Sequence, residues 1–159
     1  MKSALFSFFS VLLLFIFKLE LWTFLFLVSG GIDVSEAQDL ISKGAIIYDV
    51  RTPEEIAVSS LRGSNHFNIE TNIPTDRPVL FVCTLGLRSY SLYTKFKEKG
   101  YANVYHLAGG YFRWLQKGGL IYFNGKPTDV IHPYSSFFEI FLDKGLSSFA
   151  LSSQPESQN

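Results

Sequence analysis

The stretch Pro-Val-Leu-Phe-Val-Cys-Thr-Leu-Gly-Leu-Arg at residues 78–88 decides the fold. Its first five residues are an unbroken apolar run, which is typical of a strand buried on both faces of a parallel sheet. We predict a helix over residues 89–99, ended by Gly100, so the polar part of the stretch connects a strand to a helix. Active sites of open parallel sheets lie at the carboxyl ends of strands, and Cys83 occupies such a position.

The chain on either side of this stretch repeats the alternation of strand and helix. Helix starts are indicated by two capping boxes, in which Ser35 precedes Gln38 and Thr52 precedes Glu55. Further strands are predicted at residues 45–50, 66–69 and 104–107, and further helices at residues 35–43, from residue 53, and at residues 111–117. Strands separated by helices of this length favour βαβ units in a mostly parallel, doubly wound α/β sheet.

Composition excludes several classes of protein. The 159 residues include 14 basic and 14 acidic side chains, so no overall positive charge exists to bind nucleic acid. A hydrophobic content of 47% excludes a disordered chain. One cysteine excludes an internal disulfide or a cysteine-rich metal site, and the three histidines lack metal-ligand spacing. We therefore expect neither a metal nor a cofactor.

The first 30 residues differ from the rest of the chain. Residues 4–28 are apolar except for a short polar interruption at Lys18 and Glu20, and they contain seven of the 16 phenylalanines. The segment is interpreted either as a secretory signal, with Lys2 as its positive end, or as a membrane anchor long enough to span with some tilt. Both interpretations place the folded part at a membrane or outside the cytoplasm.

Three regions follow from these patterns. Residues 1–30 are the hydrophobic segment, residues 31–134 the folded domain, and residues 135–159 a docked helix followed by a polar, disordered tail. The lysines of residues 95–99 are expected on a solvated helix face.

The candidate site is the loop that begins at the cysteine. Gly86 lets a short loop curl so that backbone amides face the thiol, and Arg88 adds a positive charge. Cys83 is therefore a candidate nucleophile. A lone cysteine after an apolar strand is also a common small buried hydrophobe, and spacing alone leaves both interpretations open. The loop comprises Cys83, Thr84, Leu85, Gly86, Leu87, Arg88 and Ser89.

Several motifs in order resemble the rhodanese (sulfurtransferase) family. Asp-Val-Arg-Thr-Pro-Glu-Glu at residues 49–55 precedes Cys-x-x-Gly-x-Arg-Ser at residues 83–89. Leu-Ala-Gly-Gly-Tyr-Phe-Arg-Trp at residues 107–114 is similar to the family's Gly-Gly-x-x-x-Trp signature, and the segment from Gly125 to Tyr134 resembles bacterial single-domain members. The resemblance covers residues 32–134. It implies a doubly wound, mostly parallel sheet of five strands with helices on both faces.

The resemblance also implies a chemistry. Cys83 would take a sulfane sulfur from a donor such as thiosulfate or a persulfide, and pass it to a thiophilic acceptor such as cyanide or a thiol. The loop would hold the persulfide, and Arg88 would neutralise an anionic donor. Asp49 and Arg51 match the family's Asp-x-Arg, and we assign them to positioning the fold around the site. The alternative is a membrane-tethered module that binds a partner or senses persulfide without turnover.

The length of the cysteine loop and the differences from the usual rhodanese motifs refine this hypothesis. Cysteine phosphatases place one residue more between cysteine and arginine, where this chain has Ser89, so phosphoryl transfer is disfavoured. Many rhodanese relatives carry Gly-His-Ile-Pro-Gly-Ala after the second helix, whereas this chain has Ser60 and Arg62 in place of the histidine and proline. Thr84, Leu85 and Leu87 make the loop more apolar than one built for thiosulfate alone, which favours a donor of low charge or one bound to a protein.

Overall fold

The computed structural model describes residues 30–132, which form a four-stranded parallel sheet with helices on both faces. The strand order is β2-β1-β3-β4, so β1 and β3 are central. The strands are β1 (Ile46–Asp49), β2 (Asn65–His66), β3 (Val79–Val82) and β4 (Val104–His106). The helices are α1 (Val34–Ser42), α2 (Pro53–Val58), α3 (Leu87–Glu98) and α4 (Gly110–Gln116). The predicted α/β fold is confirmed.

Burial of β3 on both faces explains its apolar run. Leu80 and Val82 pack with side chains of α1 and α4, whereas Val79 and Phe81 pack with side chains of α3. All four residues are fully buried. Because successive side chains of a strand point to opposite faces, a strand between two helical layers has no solvent-facing position.

The number of strands differs from the five that the family resemblance implied. Beyond β4, the described chain makes only a single parallel bridge, in which the Ile32 amide donates to the His106 carbonyl and the Ala108 amide to the Ile32 carbonyl. The next residue, Asp33, already caps α1. The chain therefore enters a helix too soon to extend the bridge into a strand.

Three local predictions were wrong at their boundaries. The N-cap of α1 is Asp33 instead of Ser35, and its capping box is completed by Glu36. The strand predicted at residues 66–69 is only the two-residue β2. Helix α3 begins at Leu87, two residues before Ser89, because Gly86 takes a left-handed conformation (φ 90°) that lets the helix start inside the loop.

A short antiparallel hairpin, β5 (Ile121–Phe123) with β6 (Lys126–Thr128), was not predicted. It contacts the segment in which the sequence departs from its relatives. The Ser60 amide donates to the Tyr122 carbonyl (2.9 Å), and the Tyr122 amide donates to the Ser60 carbonyl (2.8 Å). The Arg62 guanidinium lies 4.3 Å from the centre of the Tyr122 ring. Ser60 and Arg62 thus attach the end of α2 to the hairpin.

The two terminal regions lie outside the described residues. They comprise residues 1–29 of the hydrophobic segment and the predicted helix and tail of residues 135–159, together with Pro133 and Tyr134 of the family-like motif. Within residues 30–132, none of the helices has the length and apolar character needed to cross a membrane.

Candidate active site

The end of β3 places Cys83 at the carboxyl edge of the sheet. The residue directly follows Val82, between the neighbouring strands β1 and β4. Its side chain is buried, with 1% of the residue exposed. Thr84, Leu85 and Gly86 are also buried, so the loop closes over the sulfur instead of projecting into solvent.

Backbone amides of the loop point at the sulfur. The Gly86 amide donates to Sγ of Cys83 over 3.1 Å, and the Ser89 amide donates to the same atom over 3.5 Å. Both amides belong to the start of α3, a helix of 12 residues. Orphan amides at a helix start, together with the positive end of its dipole, can hold a negatively charged sulfur.

The Ser89 hydroxyl is the third polar group beside the sulfur. The Cys83 thiol donates to Oγ of Ser89 over 3.6 Å, and this hydroxyl in turn donates to the Gly86 carbonyl over 3.0 Å. Ser89 is fully buried. Its hydroxyl therefore connects the two ends of the loop around the thiol.

Arg88 forms a two-point ion pair with a residue of α2. Its Nη1 donates to Oε2 of Glu55 over 2.7 Å, and its Nη2 donates to Oε1 over 2.7 Å. Nη2 also donates to Oγ1 of Thr84 (3.2 Å), and that hydroxyl donates to Oε1 of Glu55 (2.9 Å). The three side chains connect the beginning of the loop, its end and the start of α2.

The carboxylate of Glu55 stays ionised in this network. Burial alone would raise its pKa, but hydrogen bonds from Arg88, the Thr52 amide and Thr84, with the charge of Arg88, lower the pKa to about 2. From the sequence, Glu55 was predicted only to complete the Thr52 capping box, which it also does. A signal for the second role was available, because the first turn after β1 lies at the same sheet edge as the cysteine loop.

Asp49 and Arg51 form a buried ion pair. Nε of Arg51 donates to both carboxylate oxygens of Asp49 (2.9 and 3.1 Å), and Nη2 donates to one of them (2.7 Å). Nη2 also donates to the Ser59 carbonyl at the end of α2 (2.6 Å). Their contacts are therefore with the scaffold under the site, and neither side chain is hydrogen-bonded to Cys83 in the described structure.

Tyr111 of α4 completes this pair. Its hydroxyl donates to Asp49 over 2.7 Å and accepts from the Leu61 amide over 2.9 Å. The Arg51 guanidinium lies 3.8 Å from the centre of its ring. Burial raises the pKa of Tyr111 far above its usual value, so the phenol stays protonated as a donor. The network ties β1, the end of α2 and α4 together.

Two glycines let α4 reach the back of the cysteine loop. Gly109 (φ 70°) and Gly110 (φ 56°) both take left-handed conformations. The next amides then donate to the loop, Tyr111 to the Cys83 carbonyl (2.9 Å) and Phe112 to the Thr84 carbonyl (3.2 Å). The glycine pair was predicted as a turn, and the hydrogen bonds that it lets α4 donate to the loop carbonyls were not predicted.

The apolar loop residues divide into two environments. Leu85 is buried in the core shared with α1 and α4. Leu87 remains 47% exposed at the first position of α3. Only Leu87 therefore presents an apolar surface to a donor that approaches the loop.

These features define a class of protein: a parallel α/β domain in which a buried cysteine follows a central strand, accepts hydrogen bonds from two loop amides and precedes an arginine by five residues. The family profile described as rhodanese-like domain matches residues 33–117, more than half of the chain. The chain belongs to the rhodanese-like domain family.

Known proteins agree with this assignment. The thiosulfate sulfurtransferase GlpE of Ectopseudomonas mendocina is 32% identical in an alignment of 89 residues that covers 52% of this chain and 82% of the relative. A sulfurtransferase of Allochromatium vinosum is 30% identical over 83 residues, covering 48% of this chain and 78% of the relative. A rhodanese-related protein of Thermoplasma volcanium has the same fold, with a TM-score of 0.51 at 23% identity over 58% of this chain and 96% of the other.

Proposed function

We propose that the protein is a sulfurtransferase that carries a sulfane sulfur on Cys83 from a donor to a thiophilic acceptor. The observation that supports this function best is the pair of amides, Gly86 and Ser89, at 3.1 and 3.5 Å from the cysteine sulfur. Family membership and the sulfurtransferase relatives add independent support. The donor class is thiosulfate or a persulfide, and the acceptor is a thiol or another thiophile.

The reaction is a double displacement without net oxidation. The Cys83 thiolate attacks the outer sulfur of thiosulfate, the sulfur–sulfur bond of the donor breaks, and sulfite leaves with the bonding electron pair. The enzyme is then a persulfide anion. An acceptor such as cyanide attacks the outer sulfur, and the Cys83 thiolate leaves with the electron pair as thiocyanate forms.

The loop supports both steps through hydrogen bonds to charged sulfur. The amides of Gly86 and Ser89 are in place before the donor arrives, so little reorganisation is needed when charge moves onto or off the cysteine. The Ser89 hydroxyl is positioned to exchange its bond to the Gly86 carbonyl for one to the sulfur anion. Arg88 with Glu55 holds the loop's end against α2.

Intact mass spectrometry of the full chain tests this function. We expect treatment with thiosulfate, or with a persulfide donor, to add the mass of one sulfur atom, and cyanide to remove it as thiocyanate. Cys83→Ser should abolish the gain, because the hydroxyl is a far weaker nucleophile than the thiolate.

Two other results are informative. A sulfur gain that no acceptor removes would indicate the alternative function, a persulfide-sensing module without turnover. No gain with either donor, in a chain whose unfolding transition shows that it is folded, would refute the sulfurtransferase.

We further propose that residues 4–28 hold the domain at a membrane or direct it out of the cytoplasm. The support is the apolar composition of these residues, whose length suits a membrane span. We expect the full chain to sediment with membranes and to resist extraction at high pH, while a variant without residues 1–30 stays in the supernatant. Full-length chain in the soluble fraction of the cytoplasm would contradict both the anchor and the exported form.

A further inference from the structure

The positive charge at the end of the cysteine loop is matched by a nearby negative charge. Arg88 and Glu55 share two hydrogen bonds of 2.7 Å, and their side chains are 30% and 4% exposed. Two parallel N–H···O bonds are the strongest geometry available to this pair. The carboxylate is therefore fixed within contact distance of the guanidinium.

This compensation changes which donors the loop favours. An uncompensated arginine beside the thiol would attract thiosulfate, which carries two negative charges, more strongly than a donor with one. With Glu55 ionised, the pair has no net charge, and the chain as a whole has a formal charge of zero. The amides of Gly86 and Ser89 remain available to the sulfur, but their dipoles act over a short range and do not compensate a second negative charge further away.

We propose that Glu55 is a donor-specificity residue, which neutralises Arg88 and thereby shifts the preference of the Cys83 site from thiosulfate towards monoanionic sulfane donors such as persulfides and thiosulfonates. This inference rests on the proposed sulfurtransferase function. It assigns to Glu55 a role beyond the cap of α2, and it concerns the ratio between donors, not the existence of the reaction.

Thiosulfate and methanethiosulfonate are suitable probes because they differ by one charge and by a methyl group in place of an oxygen. In the second case the Cys83 thiolate attacks the outer sulfur, the sulfur–sulfur bond breaks, and methanesulfinate leaves with the electron pair. Both reactions produce the same enzyme persulfide, and cyanide discharges it in both. A change in the ratio of the two kcat/KM values between variants therefore reports a change in the preference of the site for donor charge.

Glu55→Gln is the test, and Glu54→Gln is the matched control. The control removes the same charge one residue earlier in α2, from a side chain that is exposed. We expect Glu55→Gln to raise the ratio of kcat/KM for thiosulfate to that for methanethiosulfonate by about fivefold, the effect of one unit charge several ångströms away in a partly solvated site. Glu54→Gln should leave the ratio unchanged within about twofold, because exposed charges are strongly screened.

Equal changes with both donors in Glu55→Gln would overturn the specificity role and leave Glu55 as a positioning residue. A measurement on the wild-type chain applies even when the variant does not fold. Because the Glu55 carboxylate neutralises Arg88, kcat/KM for thiosulfate should vary little between low and physiological ionic strength. A steep fall of this kcat/KM as the ionic strength rises would overturn the proposal. Absence of persulfide from both donors in the wild type would instead refute the sulfurtransferase itself.

Discussion

Gly110→Ala is expected to destabilise the protein by about 2–4 kcal/mol and to stop persulfide formation on Cys83. A methyl group at this position would overlap the Cys83 carbonyl oxygen and lie 2.7 Å from the Gly86 amide nitrogen. The backbone of Gly110 (φ 56°) is also strained for any residue with a side chain. To relieve the overlap, the start of α4 must move away from the loop, which releases the carbonyls of Cys83 and Thr84.

Gly118→Ala separates the cost of the left-handed backbone from the cost of the steric overlap. Gly118 has a similar left-handed backbone (φ 76°), but a methyl group there would meet no atom within 4 Å. It should therefore show the conformational cost alone, about 1 kcal/mol, with persulfide formation unchanged. Urea unfolding and the intact-mass assay measure both effects. Equal destabilisation of the two variants would contradict the close contact between α4 and the cysteine loop.

Asp49→Asn is expected to lower the free energy of unfolding by about 3–5 kcal/mol, because it leaves the Arg51 guanidinium buried without its counter-charge. The side chains of Arg51 and Asp49 are 0% and 1% exposed, so water cannot replace the lost interaction. The change also leaves one acceptor oxygen for the Arg51 and Tyr111 donors that now share two. Because asparagine has nearly the same shape as aspartate, the effect reports charge and hydrogen bonding and not a cavity.

Asp39→Asn is the control for this effect. Asp39 pairs with Lys43 over 2.6 Å on the surface of α1, where the two side chains are 58% and 67% exposed. Its loss should cost at most about 0.5 kcal/mol, as is usual for exposed helix pairs. Chemical denaturation compares the two variants directly. A similar small loss in both would show that the Asp49–Arg51 pair does not stabilise the fold.

The same Asp49 variant tests whether the pair has a chemical role. At a temperature where the variant is folded, its rate of persulfide formation should stay within a few-fold of the wild type, since neither Asp49 nor Arg51 is hydrogen-bonded to the sulfur. A loss of rate much larger than the loss of folded protein would assign the pair to the reaction.

Much of the fold was predictable because it depends on neighbouring residues. The apolar run before Cys83 predicted β3, and Thr52 with Pro53 and Glu55 predicted the start of α2. The errors lie where two local signals compete. Asp33 was preferred to Ser35 as the cap of α1, and Gly86 allowed α3 to start within the loop. Such choices depend on how the chain enters the helix from the sheet.

The sequence by itself determined the alternation of strands and helices, the position of the cysteine at a strand end and the glycine that lets the loop turn. These features follow from hydrophobic periodicity and backbone conformation, which act over a few residues. Only the tertiary structure decided which side chains meet at the site. Glu55 and Arg88 are 33 residues apart, and Tyr111 and Asp49 are 62 apart. Such pairs form because parallel strands bring the loops that follow them to one edge of the sheet.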